Sequence, residues 1–146
     1  MRTKKSIVIT LILMIGIAGW MIYSYNQPPI LKGKSTDGNW SAEYVPMKSN
    51  KDIWQGNLRW NGEGQPKIEE LSFALNDTET ELSLTESQRN SSSISEMPSL
   101  SSQPLENTEA SYIIKWQQNG EEAEDVISLK PQKRFFVVPG FFYGNN

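Results

Sequence analysis

The chain has 146 residues, carries 17 Asp and Glu against 14 Lys and Arg, and contains neither cysteine nor histidine. Those two absences remove disulfides, a lipid anchor on an N-terminal cysteine, the commonest metal ligand and every Ser-His or Cys-His nucleophile arrangement. Arg2, Lys4 and Lys5 put +3 on the first residues of a chain whose net charge is −3, so everything beyond them carries −6 and a nucleic-acid partner is excluded.

The first predicted element is a helix over residues 7–25, an uncharged and almost wholly apolar stretch behind the basic start Met1-Arg2-Thr3-Lys4-Lys5. At about 1.5 Å per residue it falls just short of the hydrocarbon thickness of a bilayer. The basic cluster predicts a cytoplasmic tail over residues 1–6, with the rest of the chain exported to the cell surface. Cleavage after Ala18 would leave Gly-Trp-Met-Ile-Tyr as an apolar new N-terminus, so an uncleaved single-pass signal anchor in the cell membrane is expected, the alternative being a cleaved signal peptide that releases the domain. Trp20, Tyr23 and Tyr25 suit the headgroup level, and Asn26-Gln27-Pro28-Pro29 stops the helix.

A linker is expected over residues 26–34 and one domain over 35–146, large enough for a single core. Trp40, Ala42 and Tyr44 alternate with Ser41 and Glu43, and Trp54, Gly56, Leu58 and Trp60 alternate with Gln55, Asn57 and Arg59. Both segments have the period of half-buried strands. Asn61-Gly62-Glu63-Gly64 predicts a hairpin into Lys67 to Leu75, followed by a turn toward Leu82 and Leu84, giving four strands in meander order. The Ser-, Gln- and Glu-rich residues 85–109 hold so few apolar side chains that a mobile loop, open to proteases, is expected there.

Structure resumes at Ala110. Tyr112, Ile114 and Trp116 alternate with their neighbours, Asn119-Gly120 is a strong hairpin signal, and a return strand over Asp125 to Leu129 ends at Lys130-Pro131. Arg134 to Val138, apolar on both faces, reads as a last strand covered on both sides, before Pro139-Gly140 and the aromatic Phe141-Phe142-Tyr143. The sum is an all-β domain behind one transmembrane helix: an antiparallel β-sandwich, immunoglobulin-like in form but without the Cys-Trp-Cys pattern.

Candidate sites are few. Carboxylate pairs are uninformative among so many acidic residues and no Ser-x-x-Lys spacing occurs, so no enzyme activity and no cofactor is expected. Trp40, Trp54, Trp60 and Trp116 lie on the inward face of their strands and read as core. A sugar-binding site would use Trp54 or Trp60 beside Arg59 or Asn57. Phe141, Phe142 and Tyr143, with Phe135 and Phe136, could dock a partner or touch the membrane, or fold back as a tail. The run Glu121-Glu122-Ala123-Glu124-Asp125 offers oxygen ligands for calcium, although it lacks the EF-hand pattern and alternates its carboxylates between faces, as a solvated hairpin tip does. Three Asn-x-Ser/Thr triplets, at Asn39, Asn76 and Asn90, are within chance for this composition.

Leu31-Lys32-Gly33-Lys34-Ser35, Asn39-Trp40 with Glu43-Tyr44, Trp54-x-Gly56-x-Leu58, Ile114-x-Trp116 with Gly120 to Glu124, and Ile127-x-Leu129 resemble small uncharacterised membrane-anchored cell-surface proteins and lipoproteins of Bacillus-like Firmicutes. The chain departs from them in lacking a lipobox cysteine, in an insertion around Thr36 to Gly38 and in its Ser-rich segment. The resemblance implies an extracytoplasmic location and a sandwich fold, and transfers no site residue. The expected function is a non-catalytic interaction or accessory domain tethered to the membrane, with an unidentified protein or cell-wall partner. The alternatives are a carbohydrate- or cell-wall-binding module and a calcium-dependent surface domain.

Overall fold

The structure, a computed structural model, describes residues 2–47, 50, 52–76, 78–97, 103–104 and 107–138, the side chains of residues 2–4 excepted. Helix α1 (Arg2–Tyr25) contains an apolar stretch, Lys5–Tyr25, long enough to cross a membrane, and no part of its most apolar window is buried. Membrane anchors and signal sequences share that length and composition.

Among the described residues eight strands follow: β1 (Ile30–Lys34), β2 (Trp40–Pro46), β3 (Trp54–Trp60), β4 (Lys67–Leu75), β5 (Thr78–Glu81), β6 (Ser93–Met97), β7 (Ala110–Gln118) and β8 (Glu121–Gln132), with a one-turn helix α2 (Glu86–Arg89) before β6. All pair antiparallel, in the order β5-β4-β7-β8-β1-β2-β3-β6. The sheet curls into a half-barrel, and β8 is its hinge. Residues Glu121 to Leu129 pair with β7, and Lys130 to Gln132 pair with β1. The β7–β8 hairpin is built as its sequence predicts, since Asn119 and Gly120 both take positive φ, 54° and 85°, as a two-residue turn of matching twist requires.

Period-two alternation determines what faces inward. β3 buries Trp54, Gly56, Leu58 and Trp60 and leaves Gln55, Asn57 and Arg59 outward. Trp40 and Trp60 from one side of the curl meet Trp116 from the other, with ring centroids 4.9, 4.8 and 6.2 Å apart. Farther along, Tyr44 packs on Trp54 and Phe73, and Phe73 on Tyr112. These aromatic contacts, together with Leu31, Ile68, Leu71, Ile114 and Ile127, form one continuous core.

Four sequence expectations are corrected. The linker over 26–34 contains β1, a central strand whose Leu31 is fully buried between β2 and β8; a strand of five residues is too short to display a convincing period. The expected β3–β4 hairpin and four-strand meander do not form, because β3 pairs with β2 and β6 while β4 pairs with β5 and β7. Asn61 to Pro66 instead carry the chain across the core, which lets Ile68, Leu71 and Phe73 face β2 and β3 rather than lie beside them. The Ser-rich segment is structured over its described residues up to Met97. Thr85 and Gln88 form a capping box on α2, and β6 closes the edge of β3 with buried Ile94 and Met97. Two well-placed apolar side chains are enough there, and their spacing of three hides them from a period-two reading. Finally, Arg134 to Val138 form no strand; Phe135 and Phe136 are 67% and 70% exposed.

Candidate functional site

The outward side chains of β2, β3 and β6 line a groove of about 790 Å³, within the size range of sites that hold small ligands. Ser41 and Glu43 come from β2, Gln55, Asn57 and Arg59 from β3, and Ser93, Ser95 and Glu96 from β6, with Met47 at one end and Asn61 at the other. Its wall is raised by an irregularity in pairing: Gly56 opposes Met97 and Leu58 opposes Ile94, so β6 holds one residue too many. Glu96 takes up the slack at φ 57°, and its N–H donates to Asn57 Oδ1 at 3.2 Å. Bulges of this kind recur where a strand edge is shaped for contact.

The lining is polar and mixed in charge. Glu43 pairs with Lys32 at 2.6 Å, both side chains well exposed, so the pair adds little stability. Asn61 Nδ2 donates to Ser41 Oγ at 3.0 Å. Two groups are left uncommitted among the described residues. Gln55 Oε1 is buried beneath the groove with no hydrogen-bond partner there, a state that costs free energy. The exposed guanidinium of Arg59 forms no ion pair among the described residues.

Of the residues singled out from the sequence, Arg59 and Asn57 line this groove. Trp54 and Trp60 point to the opposite side of β3, into the core, and none of Trp40, Trp54, Trp60 and Trp116 is more than 9% exposed. The tryptophans therefore supply no stacking platform beside Arg59. Trp116 donates its indole N–H to Asp125 Oδ2 at 3.0 Å, which takes one carboxylate of the acidic run. Among the described residues, no three acidic side chains come close enough to hold a metal ion. Phe141, Phe142 and Tyr143 lie outside the described residues. Gln55, Ser93, Ser95 and Glu96 complete the lining; the alternation of β3 marks Gln55 as outward, whereas nothing local in the sequence reveals that β6 comes to lie beside it.

A second polar cluster joins α1 to the segment after β8. Arg134 Nε and Nη2 donate to the Pro28 carbonyl at 3.1 and 2.8 Å, and burial lowers the pKa of this guanidinium. Lys133 Nζ lies 4.3 Å above the Tyr25 ring and donates to its hydroxyl at 3.1 Å. Higher on the helix, Val137 N–H donates to Ser24 Oγ at 2.9 Å, and the Trp20 indole N–H donates to the Val137 carbonyl at 2.8 Å.

Comparison with protein-family models, with curated proteins and with solved structures finds no match for this chain.

Proposed function

We propose that this protein is a non-catalytic accessory domain, tethered by α1 to the outer side of a bacterial membrane, that binds a hydroxyl- and amide-rich polymer of the cell wall in the β2–β3–β6 groove. The observation that carries this reading is one open groove in which the hydroxyls and amides of Ser41, Asn57, Asn61 and Ser93 surround Arg59, a cation with no ion pair among the described residues. Sugar hydroxyls can accept from its guanidinium and exchange hydrogen bonds with the polar groups around it. Recognition would rest on hydrogen bonds along the strand face, because the tryptophans are committed to the core. The anchored location is supported by the exposed apolar helix with Arg2, Lys4 and Lys5 at its start, which by the positive-inside preference orient it N-terminus inward. An immunoglobulin-like sandwich belongs to the same proposal, supported by the two strand sets that face each other across the tryptophans.

The test is retention of the detergent-solubilised full chain on purified, insoluble cell-wall glycan. Arg59→Ala should weaken retention about tenfold, as expected for loss of a hydrogen bond from a charged group. Absence of retention for the wild type, or retention by Arg59→Ala equal to that of the wild type, would remove the groove from consideration.

A further inference from the structure

Register dictates where the chain goes after β8. Ile30 pairs with Gln132, so the segment 133–138 begins at the base of α1; Lys133 and Arg134 contact Tyr25 and Pro28 at the helix end, and Val137 contacts Ser24 and Trp20 farther up the helix. Phe136 packs edge-on against Trp20, with centroids 6.1 Å apart, and Phe135 lines one shallow apolar pocket with Met21, Ile22, Tyr25 and Asn26. Trp20 is five residues before the end of α1, about 7.5 Å along the axis. The two phenyl groups therefore share the level of the helix's apolar stretch, and among the described residues they are the most exposed large apolar side chains outside α1.

We propose that segment 133–138 is a second membrane contact. Phe135 and Phe136 enter the leaflet on the domain's side, next to Trp20, while Lys133 and Arg134 remain at headgroup level, so the domain is held against the membrane. Three observations favour lipid as the occupant. The exposed phenyl groups are continuous with an apolar helix surface that a bilayer would already cover. The backbone N–H and C=O of Val137 are both taken by helix side chains, which supplies at that residue the internal partners that non-helical backbone needs at membrane depth. The cations lie at the helix end, where the surface of an anionic leaflet attracts them.

This inference rests on the membrane-anchor reading, and the test separates the two. Because the chain has no cysteine, single-cysteine variants can carry an environment-sensitive NBD label, with the full chain reconstituted into phosphatidylglycerol–phosphatidylethanolamine vesicles containing nitroxide-labelled lipid. Labels at Ile12→Cys report the anchor and at Glu121→Cys the far end of β8; Phe135→Cys and Phe136→Cys report the segment. The expected result is blue-shifted emission quenched by lipid nitroxide at positions 12, 135 and 136, and aqueous emission at 121. Aqueous emission at 135 and 136 with a quenched label at 12 overturns the inference and leaves the anchor standing. A blue shift at 135 and 136 without lipid quenching also overturns it, since protein would then cover the phenyl groups. Aqueous emission at 12 overturns both.

Discussion

The hydroxyl of Tyr112 occupies the place a side chain on Gly56 would need: a Cβ built on Gly56 would lie 1.8 Å from the Tyr112 oxygen. β3 and β7 come from opposite sides of the curl, so this contact is one of the points that sets their separation. Burial and the neighbouring Tyr44 raise the Tyr112 pKa, consistent with a hydroxyl enclosed by the core.

Gly56→Ala should therefore destabilise the domain by about 1 to 3 kcal/mol, the usual range for overpacking. Adding Tyr112→Phe removes the nearest atom and should recover part of the loss, although the ring carbon at 3.0 Å and Met97 Cε at 3.1 Å stay close. Thermal melts of the single and double variants check this; a double variant as unstable as the sum of the two singles would show that the contact does not couple them.

Trp60→Ala or Trp116→Ala should cost about 3 to 5 kcal/mol, as for other large buried aromatics. Their centroids are 4.8 Å apart, so the two losses should not add. Denaturant unfolding of both single variants and the double variant measures the coupling. A Trp60→Ala protein that melts within a degree or two of wild type would contradict this core placement.

Asp37 organises the turn between β1 and β2. It accepts from Ser35 Oγ, from Asn39 N–H at 3.0 Å and from Asn39 Nδ2, and Ser35 Oγ in turn accepts from the Trp40 N–H at 2.9 Å. The Ser35 hydrogen bond is the main cause of a lowered Asp37 pKa, aided by Asn39 and opposed by slight burial. A carboxylate held below its unfolded pKa stabilises the fold above that value and loses the contribution as pH falls through the folded one. The melting temperature of Asp37→Ala should therefore lie below wild type at neutral pH, and the gap should narrow below about pH 4. A gap that stays constant with pH would show that the charge of Asp37 is immaterial to the turn.

The elements legible in the sequence are those whose signal is local. The apolar helix, the alternating strands around Trp40, Trp54 and Tyr112, and the Asn119-Gly120 hairpin each show their character within one segment. Arg59 and Asn57 were legible as outward for the same reason. β6 was not, because a bulge at Glu96 breaks its alternation, and so its contribution to the groove was missed. Composition alone misread Arg134 to Val138: apolar residues there suggested burial in the sheet, whereas Phe135 and Phe136 are exposed beside α1.

By itself the sequence determined an apolar N-terminal helix, a β-rich domain and which face of most strands turns inward, since hydrophobic length and period are properties of neighbours along the chain. Only the tertiary structure decided that β3 and β4 face each other across the core, that β6 walls a groove beside Arg59, and that the chain returns from β8 to Trp20. Those outcomes depend on which strands pair and in what register. Pairing between distant segments follows from how their side chains fill a shared core, which no single segment encodes.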